Sequence, residues 1–321
     1  MKIVVLDGYS LNPGDIDWGP LKETGECEIY DRTSFTDKKE ILQRIGDARI
    51  VLTNKTPLDE EILNAAPNLE YIGVLATGYN IIDIDAAAKA GITVTNVPAY
   101  GTEAVAQFTF ALLLEITSQV GLHNQLVHNG EWSNNPDFSF FAKPLTELQG
   151  KTLGLVGFGR IAQKVADISH AFGMKVIFYN HRPKNIKDEW LQQVSLNELL
   201  TQSDIVSLHL PQTPDTKEMI NKSSLEKMKN TAILINTARG GLINEQDVAS
   251  ALNNEQLAAA AMDVAQHEPI NEDSPLLTAK NCYITPHIAW APKETRERLL
   301  DIVVNNLTEF LAGRKQNTVT S

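Results

Sequence analysis

A glycine-rich turn between an apolar run and a helical pattern constrains the fold of this chain more than any other feature. The stretch TLGLVGFGRIAQKVA contains Gly157-x-Gly159-x-x-Ala162 directly after residues typical of a buried strand. In such a pattern the first glycine allows a tight turn, the second lets a ligand approach the backbone, and the small third residue lets helix and strand pack closely. The helix N-terminus then offers N–H groups to an anion. The stretch therefore predicts a dinucleotide-binding βαβ unit, with an ordinary tight turn as the alternative.

Short apolar runs alternate with helical patterns along the whole chain. They include IVVL, RIVLTN and EYIGVL in the first hundred residues, and KVIFYN, DIVSLHL, AILINT, LAAAAMDV and CYITPH after the glycine-rich turn. Near-continuous apolar strands separated by helices are typical of parallel sheets that are covered on both faces. The pattern predicts an α/β protein, and a length of 321 residues suggests about two domains.

Composition and charge exclude several classes of function. The formal net charge is -12 and no block of lysines or arginines occurs, which argues against binding to nucleic acid or to an anionic membrane surface. Only Cys27 and Cys282 are present, far apart, so neither a disulfide framework nor a metal site is expected. The start MKIVVLDGY lacks the long apolar region of a signal peptide. We expect a reduced, soluble, cytoplasmic protein without a metal.

One long apolar helix and a polar, aromatic segment follow the first hundred residues. Residues 102–125 are apolar on more than one face, which predicts a single long helix buried in the chain or against a partner. Residues 129–150, NGEWSNNPDFSFFAKPLTELQG, are rich in aromatic and turn-forming residues. Composition leaves open whether this segment is an arm that reaches a second subunit or a surface loop.

The end of the second strand after the glycine-rich turn bears on the choice of cofactor. A dinucleotide fingerprint expects an acidic residue there to bind the ribose 2′-hydroxyl. The run KVIFYN ends instead in Asn180, which is followed by His181 and Arg182. An amide can bind a hydroxyl but does not repel a 2′-phosphate, and a guanidinium attracts one. The expected cofactor is therefore NAD(H) or NADP(H), with a solvated loop as the alternative interpretation of Arg182.

Polar side chains follow three of the later apolar runs. Arg239 follows AILINTA, Glu268 follows LAAAAMDVAQH and His287 follows CYITP. Because the carboxyl ends of parallel strands meet at one edge of a sheet, these side chains can converge on one ligand. Taken singly, each also has a structural explanation: a surface ion pair, a turn residue before proline, or a structural histidine.

The types of these side chains suit hydride transfer to a carbonyl group beside a carboxylate. The carbonyl oxygen gains charge as hydride arrives, and histidine is the side chain whose ordinary pKa best suits proton donation near neutrality. A carboxylate such as Glu268 fixes the tautomer of an imidazole, and Arg239 offers a planar fork to a carboxylate. Gly240 and Gly241 would let the chain turn beside the ligand without a Cβ in the way.

The joint pattern resembles a known family. NTARGGLINE, MDVAQHEP, TPHIAWA and SDIVSLHLPQTPDT are similar to signature segments of the D-isomer specific 2-hydroxyacid dehydrogenases, and the similarity covers essentially the whole chain. The resemblance implies that Arg239 orients the substrate, that His287 is the acid or base, and that Glu268 pairs with the histidine. The missing acidic residue near Asn180 departs from the family's pattern.

The resemblance also implies an architecture of two Rossmann-like or flavodoxin-like domains with parallel sheets. A substrate domain is split between residues 1–99 and 289–321, and an NAD(P)-binding Rossmann domain, residues 100–288, is inserted between them. The family's members are usually homodimers, with the long helix and the following arm at the interface.

Further contacts with the ligands are expected around these residues. The expected cofactor-binding residues are Gly157, Gly159, Arg160, Ile161, Asn180, His181, Arg182, Leu210, Pro211, Thr216, Thr237, Ala238, Asp263, Ala289, Thr102 and Val105. The loop of Ala76, Thr77 and Gly78 resembles one that donates backbone N–H groups to the substrate carboxylate. Lys55 and Trp290 are candidates to line the pocket, with solvent exposure and core packing as their respective alternatives.

Within the family, the N-terminal segments LDGYSLNPGDIDW and VLTNKTPL are most similar to those of glycerate dehydrogenases, also called hydroxypyruvate reductases. This similarity favours hydroxypyruvate as the substrate. Glyoxylate, which is smaller by the hydroxymethyl group, is also expected to react, because the loss of one small group changes the discrimination between two substrates by only about 1–3 kcal/mol. The alternatives are a dehydrogenase for a bulkier 2-keto acid and a dinucleotide-sensing binding protein on the same fold.

Overall fold

The computed structural model describes residues 1–320, and the chain divides into two compact units. The first unit joins Met1–Gly101 to the segment that begins at Trp290, and the second is Thr102–Ala289. A split first unit with an inserted second unit is the arrangement that the resemblance implied, with slightly shifted boundaries.

Within residues 1–320 the strands are β1 (Lys2–Val5), β2 (Glu26–Ile29), β3 (Ile50–Thr53), β4 (Tyr71–Val74), β5 (Thr93–Thr95), β6 (Thr152–Val156), β7 (Lys175–Tyr179), β8 (Leu191–Gln193), β9 (Ile205–Leu208), β10 (Ile233–Asn236), β11 (Ala259–Met262) and β12 (Cys282–Ile284). The α-helices are α1 (Gly19–Lys22), α2 (Lys38–Ile45), α3 (Glu60–Asn64), α4 (Ile84–Lys89), α5 (Thr102–Ser118), α6 (Val120–His128), α7 (Arg160–Ala171), α8 (Leu196–Gln202), α9 (Lys222–Leu225), α10 (Glu245–Asn253) and α11 (Lys293–Leu311). Short 3₁₀ turns cover Gly8–Ser10, Gly240–Leu242 and Pro275–Thr278.

The first unit contains a parallel sheet in the order β2-β1-β3-β4-β5, which is the flavodoxin-like order. Helix α11 returns to this unit from the C-terminal end of the chain. Its residues Leu299, Val303 and Leu307 repeat every fourth position, so they share one face, and each is at most 1% exposed. Burying each of these side chains contributes about 1.5–3 kcal/mol, which explains why the last helix packs on the first strands.

The second unit contains a parallel sheet in the order β12-β11-β10-β9-β6-β7-β8. Apolar side chains of α5 and α7 cover one face, and those of α8 and α10 cover the other. Strand order reverses between β6 and β9, and ligands of such sheets bind outside the carboxyl ends of the strands at that point. The predicted fold class, α/β with two parallel sheets of Rossmann-like and flavodoxin-like type, is confirmed.

The predicted single helix over residues 102–125 is wrong. Gln119 has left-handed backbone angles, φ 50° and ψ 43°, so it interrupts the helical ladder and separates α5 from α6 by a bend of 55°. Within residues 1–320 no single helix is long and apolar enough to cross a membrane, although this bent pair passes the same test of length and composition when taken together.

Strand β8 is an element that the sequence patterns did not predict. It is three residues long, its sequence is LQQ, and all three residues keep some exposure. A short edge strand without alternating or β-branched residues has no distinctive pattern, because its formation depends on pairing with β7 rather than on its own composition.

Candidate active site

The three candidate reactive residues follow three neighbouring strands of the second unit. Arg239 follows β10, Glu268 follows β11 and His287 follows β12, and these strands pair in parallel, side by side. Parallel pairing brings their carboxyl ends to the same edge of the sheet. The structure therefore places all three residues on loops at one edge, as the strand-end argument predicted.

Glu268 and His287 form a close ion pair or hydrogen bond. The imidazole Nδ1 of His287 lies 2.7 Å from Oε2 of Glu268. The side chain of His287 is 32% exposed and that of Glu268 is 37% exposed. The second carboxylate oxygen accepts the backbone N–H of Ala265 at 3.3 Å. A carboxylate on Nδ1 orients the ring and assigns proton exchange to the opposite nitrogen, Nε2.

The backbone of His287 is strained and is held by a buried carboxylate. Its φ is 55°, a left-handed value that costs a non-glycine residue about 1–3 kcal/mol and often marks a functional site. Asp263, 1% exposed, accepts the hydroxyl of Thr285 at 2.6 Å and the backbone N–H groups of Ile288 and Ala289 at 2.9 Å each. The segment on both sides of the histidine is therefore anchored to the end of β11.

A buried amide fixes the turn that carries Arg239. The side chain of Asn236 is fully buried, donates to the carbonyl of Arg239 at 2.8 Å and accepts the backbone N–H of Ala238 at 3.0 Å. The guanidinium of Arg239 is exposed and donates through Nη1 to the carbonyl of Ala238 at 2.6 Å. Its backbone is extended, with φ −147°. Arg239 therefore lies on a turn at the end of β10 whose backbone is held by hydrogen bonds to Asn236.

The sequence suggested that Gly240 leaves space beside a ligand, but the structure gives a different reason for a glycine at this position. A Cβ at this position would lie 1.9 Å from the carbonyl oxygen of Ala265 and 2.5 Å from the backbone nitrogen of Gln266. The obstacle is therefore the neighbouring protein backbone, not a ligand. Glycine here lets the Arg239 turn pack directly against the segment that leads to Glu268.

The glycine-rich turn fits the phosphates of a dinucleotide. Gly157 has φ 90°, and a Cβ there would lie 2.6 Å from the carbonyl oxygen of His209. Gly159 caps α7 without any side-chain hydrogen bond, and a Cβ there would have no heavy atom within 4 Å. The N-terminal N–H groups and positive dipole end of a twelve-residue helix therefore face open space, where Arg160 and Ile161 form the first turn.

The loop after β7 is ordered by an internal hydrogen-bond network. Asn180 donates through Nδ2 to the carbonyl of Arg182 at 2.8 Å. Gln193, on β8, donates to the carbonyls of Asn180 and Arg182 at 3.1 Å and 3.2 Å. His181 and Arg182 are exposed. The loop therefore has a fixed backbone, and it carries an exposed guanidinium and no carboxylate where the ribose of a bound dinucleotide is expected.

The other expected cofactor contacts lie around the same edge of this sheet. Leu210, Pro211 and Thr216 follow β9, and the Thr216 hydroxyl donates to the Pro211 carbonyl at 2.9 Å. Thr237 lies beside the end of β10, with its hydroxyl 3.1 Å from that of Thr109 on α5. The residues Ala238, Asp263, Ala289, Thr102 and Val105 follow strand ends or lie in the first turn of α5.

In the first unit, the candidate substrate residues lie at the ends of β3 and β4. Asp7, 7% exposed, accepts the backbone N–H groups of Asn54, Lys55 and Thr56 at 2.7, 2.5 and 2.9 Å. Burial raises the pKa of this carboxyl, although the three backbone donors act in the opposite direction. The turn that carries Lys55 is therefore fixed from the end of β1.

The loop after β4 is also fixed by hydrogen bonds. The carbonyl of Ala76 accepts the N–H of Val97 at 3.0 Å, and the carbonyl of Thr77 accepts from Asn96 Nδ2 at 2.7 Å. Gly78 follows directly. The ring of Trp290 meets that of Tyr100 edge-on at 6.4 Å and is partly buried against the core of this unit.

The sequence patterns missed the residues that hold these loops: Asp7, Asn236, Asp263 in its anchoring role, and Gln193. The first three share a signal, since each is a polar residue placed at or just after the end of an apolar run. Gln193 has no comparable signal. Among residues 1–320 no group of three or more His, Cys, Asp or Glu side chains is arranged to hold a metal ion.

Comparisons with known proteins agree with this geometry. Residues 110–289 match the family described as D-isomer specific 2-hydroxyacid dehydrogenase, NAD binding domain. A hydroxypyruvate reductase of Blautia hydrogenotrophica is 54% identical over 99% of this chain and 99% of its own. A glycerate dehydrogenase of Methylorubrum extorquens is 37% identical over 99% and 98%.

A solved structure of an acyclic imino acid reductase, in complex with NADPH and D-Arg, is also similar. Its TM-score is 0.85 and its identity 32%, and the match covers 99% of this chain and 100% of that one. The family match over more than half of the residues and the identity over nearly full length agree with the parallel sheets and the strand-end residues. The chain belongs to the D-isomer specific 2-hydroxyacid dehydrogenases, a family of nicotinamide-dependent oxidoreductases.

Proposed function

We propose that this protein is a hydroxypyruvate and glyoxylate reductase that forms the D-2-hydroxy acid with NADH or NADPH. The observation that carries the proposal is the 2.7 Å contact between His287 and Glu268 on loops next to that of Arg239. It is supported by the similarity to a hydroxypyruvate reductase and a glycerate dehydrogenase. Hydroxypyruvate requires only a carboxylate clamp and room for a hydroxymethyl group.

The three side chains have complementary roles in this proposal. A bound reduced nicotinamide supplies the hydride that adds to the carbonyl carbon of the 2-keto acid. His287 donates the proton from Nε2 to the carbonyl oxygen, because its Nδ1 is engaged by Glu268. Glu268 keeps the ring oriented and stabilises the imidazolium before the proton leaves. Arg239 binds the carboxylate of the substrate and the oxygen on which charge develops.

For the first unit, we propose a carboxylate-binding loop, as the similarity to the family implies. The backbone N–H groups of Ala76, Thr77 and Gly78 bind the substrate carboxylate, on a loop whose carbonyls are held by residues 96 and 97. Lys55 adds a positive charge on the turn anchored by Asp7. Trp290 contributes an apolar wall.

For the cofactor, we propose that Arg182 permits the use of NADPH. The loop after β7 offers a guanidinium and the amide of Asn180 in place of an acidic side chain, so a 2′-phosphate meets attraction rather than repulsion. The similar structure that contains NADPH supports this assignment. The pyrophosphate is assigned to the N-terminus of α7, where Gly159 leaves room for it.

We further propose that the protein is a cytoplasmic homodimer joined through α6 and the following arm. Phe138, Phe141 and Val120 are 91%, 71% and 66% exposed, and the latter two line a groove of about 440 Å³ together with His123 and Trp132. Size-exclusion chromatography with light scattering tests this proposal; a monomeric mass at micromolar concentration would contradict it.

One assay tests the proposed function. The protein is mixed with NADH or NADPH and a panel of 2-keto acids that spans glyoxylate, hydroxypyruvate, pyruvate and branched or aromatic compounds, and loss of reduced nicotinamide is followed by absorbance. We expect the highest kcat/KM with hydroxypyruvate. If the highest kcat/KM belonged to a 2-keto acid with a branched or aromatic side chain, the protein would instead be a dehydrogenase for bulkier 2-keto acids. Binding of dinucleotide without any turnover would favour a dinucleotide-sensing protein.

A further inference from the structure

Glu245 connects the turn that carries Arg239 to the segment that carries Glu268. It is the first residue of α10, which begins directly after the Gly240–Leu242 turn and Asn244. Its Oε1 accepts the backbone N–H of Gln266 at 2.7 Å, and its Oε2 accepts the hydroxyl of Ser274 at 2.7 Å. We propose that Glu245 is a positioning residue that holds residues 265–274 so that Glu268 meets His287.

The two hydrogen bonds restrain both ends of one segment. Gln266 lies just before Glu268, and Ser274, 8% exposed, precedes the Pro275–Thr278 turn. One carboxylate therefore closes the loop between them, in a charge-assisted geometry that is stronger than a neutral hydrogen bond. Gly240 presses against Ala265 at the same place. The segment is thus confined sterically by Gly240 and by the hydrogen bonds that it donates to Glu245.

A cavity of about 200 Å³ adjoins Glu245 and is also lined by His267 and Asp273. A cation site there is disfavoured because both carboxylate oxygens of Glu245 already accept hydrogen bonds, and no suitable cluster of metal ligands occurs within residues 1–320. Both carboxylate oxygens of Glu245 are engaged by the Gln266 N–H and the Ser274 hydroxyl, as expected of a residue that acts through its neighbours.

This proposal rests on the proposed roles of Glu268 and His287, and it makes a specific statement about substitutions. E245A removes both acceptors, so Glu268 is displaced from His287. We expect kcat to fall by about 10- to 100-fold, the loss expected for a displacement on the order of 1 Å. E245Q keeps an oxygen for Gln266 and an amide N–H for the Ser274 hydroxyl. We expect E245Q to retain kcat within about threefold of wild type, which shows that geometry rather than charge matters.

Asp247 provides a matched control on the same helix. Its carboxylate accepts the backbone N–H of Lys222 at 2.8 Å, so it also ties the first turn of α10 to a neighbouring segment. That segment carries none of the candidate reactive residues. D247A should therefore lower the melting temperature about as much as E245A does, with kcat within about twofold of wild type.

A double-mutant cycle with E268Q tests whether Glu245 acts through Glu268. If it does, E245A/E268Q has the kcat of E268Q alone, whereas independent effects multiply. A second measurement requires no turnover: the Nδ1–H resonance of His287 in ¹⁵N–¹H spectra, assigned with H287Q, should shift in E245A and stay in place in D247A.

The possible results separate the two proposals. Equal losses of kcat in E245A and D247A, or multiplying effects of E245A and E268Q, would overturn the role of Glu245. An unshifted His287 resonance in E245A would do the same. An inactive wild-type protein would instead overturn the proposed function, and the resonance would still decide whether Glu245 positions the pair.

Discussion

Substitution of Gly240 by alanine tests the packing of the candidate site most directly. The added Cβ would lie 1.9 Å from the carbonyl oxygen of Ala265, whereas real Cβ contacts essentially never fall under 3.0 Å, so the two backbones must separate by about 1.1 Å. Arg239 lies on one side of this contact and Glu268 follows on the other. A misplacement of about 1 Å can cost about 100-fold in rate, which corresponds to about 2.7 kcal/mol in the barrier.

The adjacent residue offers a control with the same chemical change. The three heavy atoms nearest to a Cβ at Gly241 would all belong to the side-chain amide of Gln212, at 2.5–2.6 Å, and that side chain is exposed and can rotate. We therefore expect G240A to lower kcat/KM by about 100-fold and G241A by less than about threefold. Steady-state kinetics with hydroxypyruvate measures both, and thermal unfolding shows whether each variant is folded.

Two results would refute this reasoning. Wild-type kcat/KM in a folded G240A protein would mean that the two segments can separate without disturbing the reactive groups. Equal losses in G240A and G241A would mean that the turn is sensitive to any added methyl group, so that contact with Ala265 is not the cause.

Other substitutions probe the remaining parts of the molecule. H287A should lower kcat by about 100-fold or more through loss of proton donation, with the dissociation constant for NADH unchanged in a fluorescence titration; unchanged kcat would remove His287 from its assigned role. R182A should raise KM for NADPH and leave KM for NADH nearly unchanged, and equal changes for both would exclude contact with a 2′-phosphate. Asp15 forms a two-point ion pair with buried Arg296, at 2.7 Å for each contact, and this hydrogen-bonded guanidinium lowers the pKa of Asp15. The pair therefore stabilises the protein above the ordinary carboxyl pKa of about 4, and this contribution is lost as pH falls through the lowered value. D15N should reduce the melting temperature at pH 7 and have little effect at the lowest pH at which the protein still folds; an equal reduction at both would contradict the assignment.

Much of the fold follows from local sequence patterns. The apolar run and glycine-rich turn of residues 152–162 predicted a βαβ unit because each of its features acts within a few residues. The placement of Arg239, Glu268 and His287 on loops at one edge of the sheet could also be anticipated, since parallel strands bring their carboxyl ends together whatever their separation in the chain.

Two errors have different origins: one is a helix break without a local signal, and the other is a contact between segments distant in sequence. Gln119 breaks the long helix although it is an ordinary helix-forming residue, and the nearest glycine, Gly121, lies inside α6 rather than at the break. The identity of Gly240 was attributed to a ligand, yet its neighbour is Ala265. Only the knowledge that the loops after β10 and β11 touch could have corrected that interpretation.

The residues that hold the loops suggest a more general way to find such sites from sequence. Asp7 follows the apolar run of β1, Asn236 ends that of β10, and Asp263 follows that of β11. Each is at most 7% exposed and accepts backbone N–H groups from a loop that carries a candidate residue. Backbone N–H groups of an irregular loop need acceptors when they are buried, and a polar side chain at a strand end supplies them at a fixed place. An Asp or Asn that closes an apolar run therefore indicates a loop held in one conformation, which is what a substrate requires of the residues that bind it.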